Sequence, residues 1–343
     1  MPEIARSSEI ATSEGRLLEG VYLPFLLDAQ NADGGWGYSR GGQSCVESTS
    51  WALLALLGIQ PAIRPAVGQA GWRWLRERQL RDGSWPSFAG QPRGCWTTAP
   101  ASLALYAGAG PSDQVARGLQ WLADTWPAEG GILRRIGRKL LRRDRVSRQD
   151  ESLRGWSWTP GTASWVEPTA QALIALRHIP EHLHPRKAGR RRRLAQCMLY
   201  DRMCPGGGWN SGNSIVYGAA GVPRIGPTAW ALLALRDYRD RPENRQSLDW
   251  LEQAYPQIKG PESLALAHLC LKIHHRSVPA LAPSLAALNS NNQFLGHTLA
   301  AAWAAISLSD RAVWLEPDIR RPKLEIGNLN TEIRDSKTET RDS

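Results

Sequence analysis

A phrase that occurs twice with identical spacing constrains this chain more than any other feature. Phe25-Leu26 precedes Gln30 and Gly34-Gly35-Trp36, and Trp74-Leu75 precedes Gln79 and Gly83-Ser84-Trp85. A third version runs Met198-Leu199, Met203 and Gly207-Gly208-Trp209, with Met in the Gln place. After the first and third copies comes an apolar run, Trp51-Ala52-Leu53-Leu54-Ala55-Leu56 and Trp230-Ala231-Leu232-Leu233-Ala234-Leu235. Sequence self-similarity at this period is the mark of a repeat architecture, in which each unit buries its apolar face against its neighbours.

The apolar residues Leu17, Leu18, Val21, Tyr22, Phe25 and Leu26 recur at helical spacing, so residues 14–30 read as an amphipathic helix stopped by Asn31-Ala32-Asp33-Gly34-Gly35. Residues 45–57 are apolar on nearly every side, which predicts a helix enclosed by protein. The repeat is thus an outer helix, a Gly-x-Trp loop and a buried helix. Further outer helices are expected near 62–80, 112–125, 188–203, 243–255 and 278–289, and buried ones near 97–109, 165–178, 226–238, 261–275 and 292–308. Six pairs with one all-apolar member favour a closed ring with the buried helices as its inner wall, and no strand is expected.

Gln30 with Gly34-Gly35-Trp36, and Gln79 with Gly83-Ser84-Trp85, resemble the QW motif of the squalene–hopene and oxidosqualene cyclases. That family shares an α/α toroid with the β subunits of protein prenyltransferases, and the resemblance covers roughly residues 14–308. It implies an all-α toroid in which Gln30, Trp36, Gln79, Trp85 and Trp209 are structural, tying the end of an outer helix to the start of an inner one. It also implies an isoprenoid ligand and an isomerase of the cyclase or mutase type. The chain departs from the pattern in three ways. Trp126 stands where the third Gln belongs, about thirty extra residues precede Gly155-Trp156, and the Asp-x-Asp-Asp acid string of class II cyclases does not occur. Whether the chain catalyses a reaction is therefore left open, a non-catalytic lipid-binding toroid or a prenyltransferase-like subunit being the alternatives.

Aligning the buried helices places Glu47, Glu167 and Glu262 at one repeat position. In an apolar cavity a carboxyl group holds its proton more tightly, so these residues are the candidates to protonate an alkene or steady a carbocation. Ser44-x-x-Glu47 and Ser164-x-x-Glu167 read equally as capping boxes. Trp51, Trp165 and Trp230 are candidates for the cavity wall, where indole faces would stabilise cations; packing against the outer ring is the other reading. His297-Thr298-Leu299 resembles the prenyltransferase His segment and makes His297 a substrate-side candidate, but the Asp-x-Cys partner of a zinc site is missing. No metal and no cofactor is expected.

The net charge of +10 is concentrated in two tracts. The first includes Arg135, Arg138, Lys139 and Arg142 opposite Leu133, Ile136 and Leu140, a pattern that suits a helix lying on an anionic membrane as well as a solvated loop. The second, Arg186-Lys187 and Arg190 to Arg193, opens the next outer helix. Neither tract interleaves aromatic residues, so nucleic acid is not an expected partner; a partner protein is not identified. Five cysteines without a C-x-x-C pair, no signal-peptide core and no long apolar run point to a cytoplasmic protein, with peripheral membrane contact through the first tract. The expected organisation is an extension over 1–13, a toroid over 14–315 carrying the insertion at about 127–155, and a polar tail over 316–343 expected to be disordered.

Overall fold

The computed structural model describes residues 13–59, 67–129, 149–279, 281–290 and 297–309. The predicted membrane-contact residues Arg135, Arg138, Lys139 and Arg142 lie outside these, as does the predicted C-terminal tail.

Inner and outer helices alternate along the chain. A π-helical turn, Leu18–Tyr22, leads into α1 (Leu23–Asp28), and the inner helix α2 (Val46–Ile59) follows. The outer helices α3 (Gln69–Glu77), α5 (Asp113–Asp124), α7 (Ala188–Asp201), α9 (Pro242–Ala254) and α11 (Leu281–Ser290) alternate with the inner helices. These are α4 (Thr98–Ala109), α6 (Val166–His178), α8 (Ile225–Ala234), α10 (Pro261–Ile273) and α12 (Thr298–Leu308). Each inner helix packs on the next, and α12 packs back on α2, so the inner wall is a closed ring. An inner helix therefore has neighbours on both flanks and an outer helix behind it. That accounts for twelve of the fourteen residues of α2 being buried. The expected absence of strands needs one correction: β1 (Ile215–Val216) pairs antiparallel with β2 (Ala219–Ala220) in the loop before α8. Tyr217 turns this hairpin in the left-handed region.

The glycine-tryptophan loops are held by bonds that recur from unit to unit. The indole N–H of Trp36 donates to Leu26 O at 2.7 Å, that of Trp85 to Leu75 O at 2.7 Å, and that of Trp209 to Leu199 O at 2.6 Å. Across the insertion, the Trp156 indole reaches Leu122 O at 2.9 Å. Each of these tryptophans also sends its backbone N–H to a threonine hydroxyl on the inner helix: Thr49, Thr98, Thr169 and Thr228, at 2.8–3.0 Å. One aromatic residue thus anchors the loop to an outer helix through its ring and to an inner helix through its backbone. Gln30 donates to Gly34 O and to Val67 O, and Gln79 to Gly83 O and Gln114 O, bonding each loop to the segment that opens the following outer helix. Gly34 and Gly83 both have φ +91°, and a Cβ there would lie 2.8 Å from Ala70 O and 2.5 Å from Arg117 O. Only glycine permits both that backbone conformation and that approach.

A second set of bonds joins neighbouring units. At the entrance of an inner helix a backbone N–H donates to the carbonyl two residues after the next loop's tryptophan: Val46 to Ser87, Trp96 to Trp158 and Val166 to Ser211, at 2.9–3.2 Å. The same bond closes the ring, from Thr298 N to Tyr38 O at 2.8 Å, and Ser39 bridges His297.

Replacing Thr98 by valine keeps the shape of the side chain but leaves the buried Trp85 N–H without its acceptor. We expect Thr98→Val to lose about 1–3 kcal/mol of stability in a denaturant titration.

Candidate functional site

The start of the inner helices is where polar chemistry meets the ring interior. Glu47, Glu167 and Glu262 are each the second residue of an inner helix, α2, α6 and α10. The serines of the two possible capping boxes face away from those helices. Ser44 accepts from Asn31 Nδ2 and donates to Asp33, while Ser164 accepts from Gly155 N. Neither helix receives a Ser-Glu box, and both glutamates are left to other partners.

Glu47 Oε2 accepts a 2.7 Å hydrogen bond from the Tyr38 hydroxyl. Burial raises the pKa of Glu47, opposed by Tyr38 and by the nearby Trp96 indole. Burial and the neighbouring Glu47 charge push the Tyr38 hydroxyl up as well, so it stays protonated and donating. Glu167 is raised by burial and opposed by its own backbone N–H, by Ser211, whose hydroxyl donates to Oε1 at 2.8 Å, and by the Arg224 charge. Its Oε2 is buried with no hydrogen-bond partner. Glu262 is exposed at the start of α10, with protein packed around its carboxyl group. That enclosure, together with the Glu47 charge, pushes it up to about 7. An acid of this kind is half-protonated at neutral pH, suited both to giving and to taking back a proton.

Below the carboxylates stand three indoles. Trp51, Trp230 and Trp303 are the sixth residues of α2, α8 and α12. Their ring centroids are 4.5 Å (Trp51–Trp303), 5.2 Å (Trp230–Trp303) and 5.6 Å (Trp51–Trp230) apart. Trp303 was missed by the sequence reading, although it shares its helix position with Trp51 and Trp230. Trp165 is not with them: it caps α6, is 37% exposed and lies against Gly212. His297 is exposed at the cap of α12, engaged through its backbone. Trp36, Trp85 and Trp209 are fully buried in their loops. Among the described residues no group of three His, Cys, Asp or Glu could hold a metal ion, and no helix is long and apolar enough to cross a membrane.

The third joint of the ring is built differently from the first two. Trp126 takes the Gln place, and Arg191 of the following outer helix supplies the missing donors. Its guanidinium donates to Arg154 O, Thr125 O and Gly155 O at 3.0–3.2 Å. Arg154 O is the counterpart of Gly34 O and Gly83 O, two residues before the loop tryptophan. The cation sits between the Trp126 and Trp156 rings, 4.0 and 4.2 Å from their centroids. Arg191 is 0% exposed, unlike the other arginines of the run Arg190 to Arg193. Burial, then the Arg154 charge, brings it down to about 9.

No protein-family model matches the chain. Over an alignment of 73 residues that covers 18% of the chain, the sequence is 38% identical to lanosterol synthase of Homo sapiens and 40% identical to that of Mus musculus. The match spans 10% of the length of each of these curated relatives. Among solved structures, the type II terpene cyclase MstE from Scytonema in complex with merosterolic acid A aligns with a TM-score of 0.58 at 17% identity. It covers 90% of this chain and 99% of the cyclase. The fold is the terpene-cyclase toroid. An α-amylase from Clostridium perfringens also aligns with this toroid, over 85% of this chain and 97% of its own, with a TM-score of 0.54 at 10% identity. The toroid therefore does not by itself name a reaction.

Arg191→Met should strip three carbonyls of their donor and cost more than about 3 kcal/mol in a denaturant titration. Arg191→Lys should not restore the loss, because an ammonium cannot reach three carbonyls while stacking between two rings.

Proposed function

We propose that this chain is a terpene-cyclase-like protein that receives an isoprenoid lipid at the mouth of its ring and isomerises or cyclises it by protonation. The observation that carries the reading is the placement of Glu262, an acid held near neutrality by burial and the Glu47 charge, at the end of the ring where the inner helices start, with the three indoles of α2, α8 and α12 one turn further in. Support for an isoprenoid comes from the structures of the same fold, one of which holds geranylgeranyl dihydroxybenzoate as substrate.

In this reading the protonated Glu262 gives its proton to an alkene carbon of the ligand, whose π electrons form the new C–H bond and leave a carbocation. Glu47 and nearby indole faces steady that cation. Attack by a second double bond closes a ring, and loss of a neighbouring proton to the Glu262 carboxylate restores the acid. The product has the mass of the substrate. Tyr38 donates a 2.7 Å hydrogen bond to Glu47 that opposes, without reversing, the upward shift burial gives it; the acid role goes to Glu262 because it is the more exposed of the two and so the one a ligand at the mouth can reach. A non-catalytic lipid-binding toroid is the second reading, favoured by the absence of an Asp-x-Asp-Asp string.

Incubation with prenyl alcohols, polyprenyl diphosphates and squalene, followed by chromatography and mass spectrometry, should give a product of unchanged mass and new retention time. Glu262→Gln should lower turnover by about 100-fold or more; full turnover by that variant removes Glu262 from the reaction, and unaltered lipid throughout selects the binding toroid.

The pKa of Glu262 also fixes the sign of two pH effects. Turnover should fall as pH rises through about 7, because the donating form is lost. The folded chain should lose stability over the same range, from the ordinary value of 4.5 up to about 7, because folding disfavours the carboxylate. Glu262→Gln should therefore melt higher than the parent at pH 8 and alike at pH 4 in a calorimetric comparison.

A further inference from the structure

The ring interior closes within one helical turn of its mouth. At the second residue of five of the six inner helices the chain is accessible, Glu47, Glu167, Gly226 and Leu299 being half-buried and Glu262 exposed, while Ala99 of α4 is buried. At the sixth residue, Trp51, Gln171, Trp230, Leu266 and Trp303 are all 7% exposed or less. The change from accessible to sealed thus happens across four residues, about 6 Å of helical rise.

The seal lies on the axis of the ring. α2 and α8 are the first and fourth members of a six-membered inner wall, so they face each other across it. Their tryptophans nevertheless come within 5.6 Å, centroid to centroid, and Trp303 packs against both. Side chains from opposite walls that touch leave no passage between them. At the mouth the situation is the reverse. Gly226 stands at the repeat position of the three glutamates, and a Cβ built on it meets no atom within 4 Å.

Resting on the isoprenoid reading above, we infer that the ring is a shallow cup, floored by Trp51, Trp230 and Trp303, that takes only the terminal isoprene unit of its ligand and leaves the rest of the chain outside. A depth of about 6 Å matches the length of one such unit. The alkene presented to Glu262 is then the terminal one, and the ring closure that follows uses only the double bond next to it. The substrate class is defined by its end group, with tolerance for what lies beyond.

Chain-length dependence of binding tests this. Geraniol, farnesol and geranylgeraniol are each brought to equilibrium by dialysis against the full-length protein and quantified by mass spectrometry. The cup predicts dissociation constants within about tenfold of one another, whereas a chamber burying the whole chain would tighten roughly a thousandfold for each added unit. Gly226→Trp should fill the mouth and abolish binding of all three alcohols with an unchanged melting curve, since the added side chain starts in open space. Trp230→Leu should deepen the floor and make farnesol bind at least tenfold tighter than geraniol. A steep length dependence in the parent chain, or undiminished binding by Gly226→Trp, overturns the cup while leaving the isoprenoid reading standing. If none of the alcohols binds the parent chain, both fall together.

Discussion

A helix that is apolar on every side is stable in water only when every side is covered. The inner helices of this chain meet that condition by covering one another, and six of them can do so without an exposed end only by closing into a ring. Closure has its own joint, the bond from Thr298 N to Tyr38 O and the packing of α12 on α2. The joint repeats the geometry used between the earlier units, so the last unit docks on the first as though it were the next in a series. The loops with their tryptophans serve this end: each fixes how far an outer helix stands from its inner partner, and thereby the curvature of the wall.

The same closure creates the electrostatics of the mouth. Helix starts that converge on one mouth bring side chains from distant parts of the sequence, such as Glu47 and Glu262, close enough for one charge to raise the pKa of the other. Neither carboxylate is unusual within its own helix. Their properties arise from the ring, which surrounds them with protein while keeping them in reach of water. Tyr38 belongs to both functions, its carbonyl closing the seam and its hydroxyl holding Glu47. A fold shared with proteins as different as a terpene cyclase and an α-amylase sets the position of such groups, and the side chains placed there set the reaction.

Much of the fold was legible because its signals are periodic. The alternation of half-exposed and apolar helices gave the order of the elements and the bounds of several, as with 188–203 expected against Ala188–Asp201 observed; the expected starts at 62 and 292 lie outside the described residues. The threonine clamp was equally visible in principle: Thr49, Thr98 and Thr169 each follow a loop tryptophan by thirteen residues, a spacing that went unread. Trp303 could have been found by aligning the last buried helix on Trp51 and Trp230. Other features had no local signal. Arg191 looks like any member of the run Arg190 to Arg193, and only the approach of Trp126 and Trp156 from elsewhere in the chain distinguishes it. The meeting of indoles across the axis is likewise a property of closure: equivalent positions in a repeat read as lining a wall, and only the radius of the ring decides whether they line it or meet.

The seam between α12 and α2 also has a meaning in time. During synthesis the first inner helix is complete roughly 250 residues before its closing neighbour, which at ordinary ribosomal speed is about 12–50 s. Through that interval α2 carries an uncovered apolar flank, and no amount of correct local structure in the intervening units can cover it. The ring must therefore be born as an open arc with sticky ends, in which two nascent arcs can capture each other before either captures itself. For this chain, the cell's handling of unfinished copies bears on the yield of native protein as directly as the stability of the finished one.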